Sequence, residues 1–165
     1  MFNIDENKVI AVGASAGGQL AAAAALIDSY NDDDIDNMSI SCVPNVLVLF
    51  NPVIDNSPSG YGNEKLSVDY KTISPIHNIR RGAPTTIIFL GTNDNLVPVK
   101  SIEDYKELMV EVGSRCDVHF YEGQKHGFFN FSNFEYFKKT VKKADEFLVT
   151  LGYLDREPVV PIIED

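Results

Sequence analysis

Residues 9–18 read Val9-Ile10-Ala11-Val12-Gly13-Ala14-Ser15-Ala16-Gly17-Gly18. The four apolar residues at 9–12 suit a buried strand, and a serine follows in the pattern G-x-S-x-G. A run of alanines at 21–25 then carries a helical stretch predicted over 16–30, small enough to lie close against a sheet. A serine on a sharp strand-to-helix turn has its hydroxyl lifted clear of the sheet, and only small residues fit two positions before and after it. The helix start behind it favours negative charge. Ser15 is thus the candidate nucleophile, and the Ala16 N–H is placed to donate to an oxyanion. Glycines and a serine at a helix start also suit a phosphate loop or a plain helix cap. Against the phosphate loop, the stretch has neither G-x-G-x-x-G nor a Lys-Ser/Thr pair.

Working outward, three further apolar runs read as strands: 46–50 (Val-Leu-Val-Leu-Phe), 86–90 (Thr-Ile-Ile-Phe-Leu) and 118–121 (Val-His-Phe-Tyr). Near-continuous apolar runs are what parallel strands covered on both faces require; the last is more mixed. A helix is predicted from Pro98, a favoured first helical residue, to Gly113, a favoured cap, with Val99, Ile102, Tyr105, Met109 and Val112 on its apolar stripe. A last helix carries Phe134, Phe137, Val141, Ala144 and Leu148 on one face and lysines opposite. Strand and helix in alternation give an α/β class, a mostly parallel sheet of about four strands with helices on both faces. Residues 31–37 read as an acidic loop. Residues 51–82 form a Pro/Gly/Ser-rich excursion with room for one short helix. One domain is expected over 1–155 and a tail over 156–165.

A serine hydroxyl needs a base, and the chain has three histidines. His119 falls within a strand and His77 within the long excursion, so both read as structural. His126, in Gly123-Gln124-Lys125-His126-Gly127-Phe128, follows the fourth strand, in the loop region where α/β sheets gather their chemistry. The base needs an acid to fix its tautomer. Asp94, in Gly91-Thr92-Asn93-Asp94-Asn95-Leu96-Val97-Pro98, follows the third strand; Asp55, after the second, is the rival. The favoured order is Ser15, Asp94, His126. The aromatic cluster from Phe128 to Phe137 reads mostly as helix packing, although Phe128 and Phe129 could wall a pocket beside His126.

The totals narrow the partners. A chain of 165 residues suits one domain, able to bury roughly 68–70% of its unfolded surface. A formal charge of −10 repels nucleic acid and anionic lipid, and the expected partner is a small neutral or cationic molecule. No apolar run is long enough to cross a bilayer, and no signal segment is evident at Met1, so the default expectation is cytoplasmic with no membrane partner. Two cysteines, Cys42 and Cys116, show no metal or redox spacing, and the triplet Asp32-Asp33-Asp34 lacks the rest of a calcium loop; no metal and no cofactor are expected.

Four stretches together resemble the α/β-hydrolase esterase/lipase superfamily, and most nearly its branch of esterases acting on acetylated or feruloylated plant polysaccharides. They are the elbow at 13–18, Ser74-Pro75-Ile76-His77-Asn78-Ile79, the Asp94 loop at 91–98, and Tyr121-Glu122-Gly123-Gln124-Lys125-His126-Gly127-Phe128-Phe129. The resemblance implies Ser15 as nucleophile, Asp94 as acid, His126 as base and Ala16 as one oxyanion donor; since no stretch resembles a lid, a short-chain ester is the expected substrate. Members of that superfamily carry further strands before the elbow, with a His-Gly-Gly loop as second oxyanion donor. Only fourteen residues precede Ser15 here, so the chain resembles the C-terminal half of the fold, a truncated α/β-hydrolase. Its first strand is then expected to form an apolar edge, through which the chain would self-associate as a homodimer or higher oligomer. Two other readings follow: a weakly active or inactive interaction module, and a peptidase, since prolyl-oligopeptidase-like domains share the Ser, Asp, His layout. Elbows of the latter usually carry an aromatic beside the serine, where this chain has Ala14 and Ala16.

Overall fold

The computed structural model describes residues 4–29, 35, 37 and 39–156. Most of the acidic loop and all but Arg156 of the expected tail therefore lie outside the described residues. The chain divides into two compact units, one up to His126 and one from Gly127 onward.

The first unit is built on a four-stranded parallel sheet in the order β1 (Ile10–Ala14), β2 (Val46–Phe50), β3 (Thr85–Gly91), β4 (Cys116–Tyr121). Helix α1 (Ala16–Leu26) follows β1, and α2 (Val99–Glu111) follows β3. Both helices join one core, with Ala22, Ala25 and Leu26 from α1 and Ile102, Tyr105 and Met109 from α2. These meet Leu47 and Leu49 of β2, Ile88 and Leu90 of β3, and Cys116 of β4, all on the same pleat face. The alternate residues Val46, Val48, Ile87 and Phe89 point the other way and are also buried. Burial on both faces explains why the two central strands are apolar without alternation. Each such side chain contributes about 1.5–3 kcal/mol when fully buried.

Helix α1 is shorter than the predicted 16–30. It ends at Leu26, and Ile27 is already extended, leading into the turn-forming Asp28 and Ser29. Helix α2 starts one residue after Pro98, which takes the cap position, and Gly113 beyond its end has φ 82. The excursion at 51–82 holds three short 3₁₀ turns, Asn63–Lys65, Tyr70–Thr72 and Pro75–Asn78, where one short helix was expected. Polar side chains tie it down. Ser74 Oγ donates to the Ile54 carbonyl (3.1 Å) and accepts from the Asn56 N–H (3.0 Å), while Gln19 of α1 donates to Asn56 Oδ1 (2.7 Å).

The second unit contains α3 (Phe134–Thr150). Its buried line runs through Thr140, Ala144 and Phe147, shifted by about one residue from the stripe that hydrophobicity suggested. Thr140 fits that line because its hydroxyl bonds the helix carbonyls of Tyr136 (2.9 Å) and Phe137 (3.1 Å). Phe131, Phe134 and Phe137 form one set of ring contacts, and Phe128, Phe129 and Tyr136 another. No helix among the described residues is long and apolar enough to cross a membrane.

Candidate active site

The carboxyl ends of β1, β2, β3 and β4 lie together at one end of the parallel sheet. Each strand releases a loop there. Ser15 follows β1 directly with φ 53 and ψ −121, a positive-φ conformation uncommon for a residue with a Cβ. Such a residue costs on the order of 1–3 kcal/mol and persists only where its surroundings over-determine it. Here they do. The Ser15 N–H donates to the Phe50 carbonyl (3.0 Å), and its carbonyl accepts from Gln19 (3.1 Å) and Val53 (3.2 Å).

The glycine pattern around the elbow has a specific steric basis. A Cβ on Gly13 would stand 2.2 Å from the Gly17 carbonyl oxygen, and one on Gly18 would meet Pro52 Cβ at 2.8 Å. A Cβ on Gly17 would meet nothing within 4 Å. The second glycine of G-x-S-x-G is therefore not the crowded one in this chain, contrary to expectation; the crowding passes to Gly18, because β2 continues into Pro52 beside it.

Ser15, His126 and Asp94 come together across 111 residues of chain. Ser15 Oγ is 3.0 Å from His126 Nε2, and His126 Nδ1 is 2.7 Å from Asp94 Oδ2. The Asp94 side chain is fully buried and the His126 side chain about one-fifth exposed. The second carboxylate oxygen, Oδ1, accepts the N–H groups of Leu96 (2.9 Å) and Val97 (3.0 Å). A carboxylate only accepts, so Nδ1 must carry the imidazole proton, leaving Nε2 with a lone pair for the serine hydroxyl. This arrangement can take the Ser15 proton as the oxygen attacks an electrophile. Ala16 opens α1, and the first-turn amides of a helix lack intrahelical acceptors, so its N–H is available to a developing oxyanion.

The competing candidates lie elsewhere. Asp55 caps its own turn, accepting from the Ser57 N–H (2.8 Å) and Ser57 Oγ (3.0 Å). His77 Nδ1 pairs with Ser74 Oγ (3.0 Å) and its ring packs edge-on against Tyr70. His119 stacks on Phe89. An open groove of about 600 Å³ beside α2 and β4, lined by Glu103, Glu107, Val110, Val118 and Phe120 among others, contains none of the three site residues.

One site residue escaped the sequence reading. Asn51, fully buried, places its side-chain Nδ2 3.3 Å from His126 Nε2. Its position held a signal: pairing of Ala14 with Phe50 puts the residue after β2 level with Ser15.

The chain matches the model of the prolyl oligopeptidase family over residues 1–152. It is 27% identical over 143 residues to an acetylxylan esterase of Xylanibacter ruminicola, a match spanning 78% of this chain and 27% of that protein. Among solved structures, esterase 2 of Thermogutta terrifontis phosphorylated by paraoxon superposes with a TM-score of 0.84 at 39% identity, over 93% of this chain and 57% of that one. The propionate-bound form of the thermophilic esterase from the same organism gives 0.84 at 40% identity, over 94% and 60%. The chain thus spans less than two thirds of the length of these relatives. With four parallel strands in sequence order, a nucleophile-type elbow after the first and a family match over nearly its whole length, this chain has the α/β-hydrolase fold and belongs to the prolyl oligopeptidase family.

Proposed function

We propose that this chain is a serine esterase acting on short-chain carboxylic esters, with Ser15 as nucleophile, His126 as general base and acid, and Asp94 as the carboxylate that orients it. The observation that carries this is the continuous chain from Ser15 Oγ through both imidazole nitrogens to a buried carboxylate. Ser15 Oγ gives its proton to Nε2 as it bonds to the acyl carbon, and the carbonyl oxygen becomes an oxyanion facing the Ala16 N–H. Collapse of that intermediate breaks the ester C–O bond, with the proton passing from Nε2 to the departing alcohol oxygen. Water then enters, gives a proton to Nε2 and attacks the acyl carbon, and the acid leaves as Ser15 regains its hydrogen.

The names of the relatives support an ester as substrate and a small acyl group, one being an acetylxylan esterase and another having bound propionate. An acetylated or feruloylated carbohydrate is the natural extension of that reading. A peptidase is the second reading, favoured by the family match itself. The alanines flanking Ser15 weigh against it. The reading also includes self-association through β1, which among the described residues is paired only on its β2 side and exposes Val12.

Turnover of p-nitrophenyl acetate and of a prolyl p-nitroanilide by the purified chain separates these readings, with Ser15→Ala as the blank. Ester turnover well above the blank is expected. Faster anilide cleavage would favour the peptidase, and turnover equal to the blank on both substrates would favour an inactive interaction module.

A further inference from the structure

Asn51 leaves β2 as Ser15 leaves β1, side by side and both with positive φ, 34 for Asn51 and 53 for Ser15. Its backbone is fixed from both sides. The Asn51 N–H donates to the Phe89 carbonyl at 2.7 Å, and its neighbours Phe50 and Val53 bond the N–H and carbonyl of Ser15. The side chain therefore has little freedom, and it is fully buried. A buried amide costs stability unless it is hydrogen-bonded, so what it faces matters.

Its Nδ2 lies 3.3 Å from His126 Nε2, the nitrogen that also faces Ser15 Oγ at 3.0 Å. With the proton on Nδ1, Nε2 has a single in-plane lone pair. An amide nitrogen only donates. The serine O–H and the asparagine N–H therefore converge on the same lone pair.

We propose that Asn51 is a positioning residue for the proton transfer, an inference that rests on the serine hydrolase reading above. In the resting site its N–H holds His126 with an unprotonated Nε2 turned toward Ser15. When Ser15 Oγ attacks, its O–H bond breaks and the proton moves to Nε2, which releases the amide N–H. Nε2 then passes the proton to the leaving alcohol oxygen as the C–O bond breaks. Asn51 thus acts before the attack, by setting the orientation and tautomer of the ring.

A purely conformational role makes a different prediction. Glycine adopts positive φ without a steric penalty, so Asn51→Gly would then be neutral. Aspartate has the same shape but only accepts, and in Asn51→Asp the carboxylate would draw a proton onto Nε2 and leave no lone pair for Ser15.

The experiment measures the rate at which a fluorophosphonate probe labels Ser15 in the wild type, Asn51→Gly, Asn51→Asp and Ser15→Ala, alongside thermal melting and the ¹⁵N spectrum of the His126 ring. Loss of the amide's bond to Nε2 predicts labelling about tenfold slower in Asn51→Gly, read on folded protein below its melting temperature. The wrong tautomer predicts a loss of about a hundredfold or more in Asn51→Asp, with Nε2 turned from unprotonated to protonated in the spectrum. Wild-type labelling in both variants, or an unchanged Nε2 signal in Asn51→Asp, would overturn the proposal. Failure of the wild type to label at Ser15 would instead overturn the hydrolase reading, and the ring spectrum would still decide the role of Asn51. Should Asn51→Asp not fold, Asn51→Gly decides alone.

Discussion

Gly91 and Gln124 are locked together through their backbones. A Cβ on Gly91 would stand 2.2 Å from the Gln124 carbonyl oxygen, the same oxygen that accepts the Asn93 N–H at 2.9 Å. Beside them, the Thr92 N–H donates to the Tyr121 carbonyl (3.0 Å), and Thr92 Oγ1 accepts the Gly123 N–H (2.8 Å). The loop bearing Asp94 is thereby fastened to the loop bearing His126. Gly91→Ala pushes backbone against backbone, which no rotamer change can relieve. Displacing a catalytic group by about 1 Å can cost on the order of 10²-fold in rate, so esterase turnover should fall by that order. Steady-state kinetics with thermal melting as control checks this, and wild-type turnover in Gly91→Ala would refute the coupling.

The two glycines after the serine should behave oppositely. Gly17→Ala meets open space on a helix, where alanine is favoured by roughly 0.5–1 kcal/mol, so melting should hold or rise. Gly18→Ala meets Pro52 Cβ at 2.8 Å and should cost about 1–3 kcal/mol, the usual range for overpacking. Denaturant titration of the two variants checks the order; equal effects would show that the elbow is not braced by Pro52.

Those contacts also mark where sequence reasoning stops. The strands, the elbow and the loops that bring Asp94 and His126 to Ser15 could be read because each depends on residues adjacent in the chain: an apolar run, a small-residue turn, a polar loop after it. The Gly18–Pro52 and Gly91–Gln124 contacts, and the approach of Asn51 to His126, join segments 33 or more positions apart. Nothing in the local pattern of either partner announces them. Thr140 on the buried line of α3 went unread for another reason, since its hydroxyl is satisfied by its own helix and hydropathy alone counts it as polar.

The two thiols should be distinguished by reactivity and by pH. Cys42 is exposed, whereas burial pushes the Cys116 thiol up from 9.0 to about 12. An alkylating reagent at pH 8 should modify Cys42 in the native protein and Cys116 only after unfolding. Above pH 9 the unfolded chain ionises Cys116 while the folded chain does not, so stability is expected to fall from about pH 9 until the folded thiol ionises near 12. Burial raises the Tyr105 hydroxyl in the same direction. Melting temperature against pH for the wild type and Cys116→Val checks this; identical slopes above pH 9 would remove Cys116 from the account.

Self-association through β1 predicts a species larger than a monomer in gel filtration with light scattering. Val12 is 63% exposed on β1, the edge of the sheet among the described residues, and Val12→Lys places a charge where a second strand would pair, shifting the population toward monomer. A wild-type chain that runs as a clean monomer at high micromolar concentration would exclude it.

The most direct measurement of the central claim is the mass of the intact protein after exposure to paraoxon, with the adduct located by peptide mapping. If Ser15 is activated by His126 and Asp94, one diethylphosphoryl group should appear on Ser15, and its formation should be slowed by orders of magnitude in His126→Ala. An adduct on another residue, or one formed on Ser15 at the same rate in His126→Ala, would contradict the account.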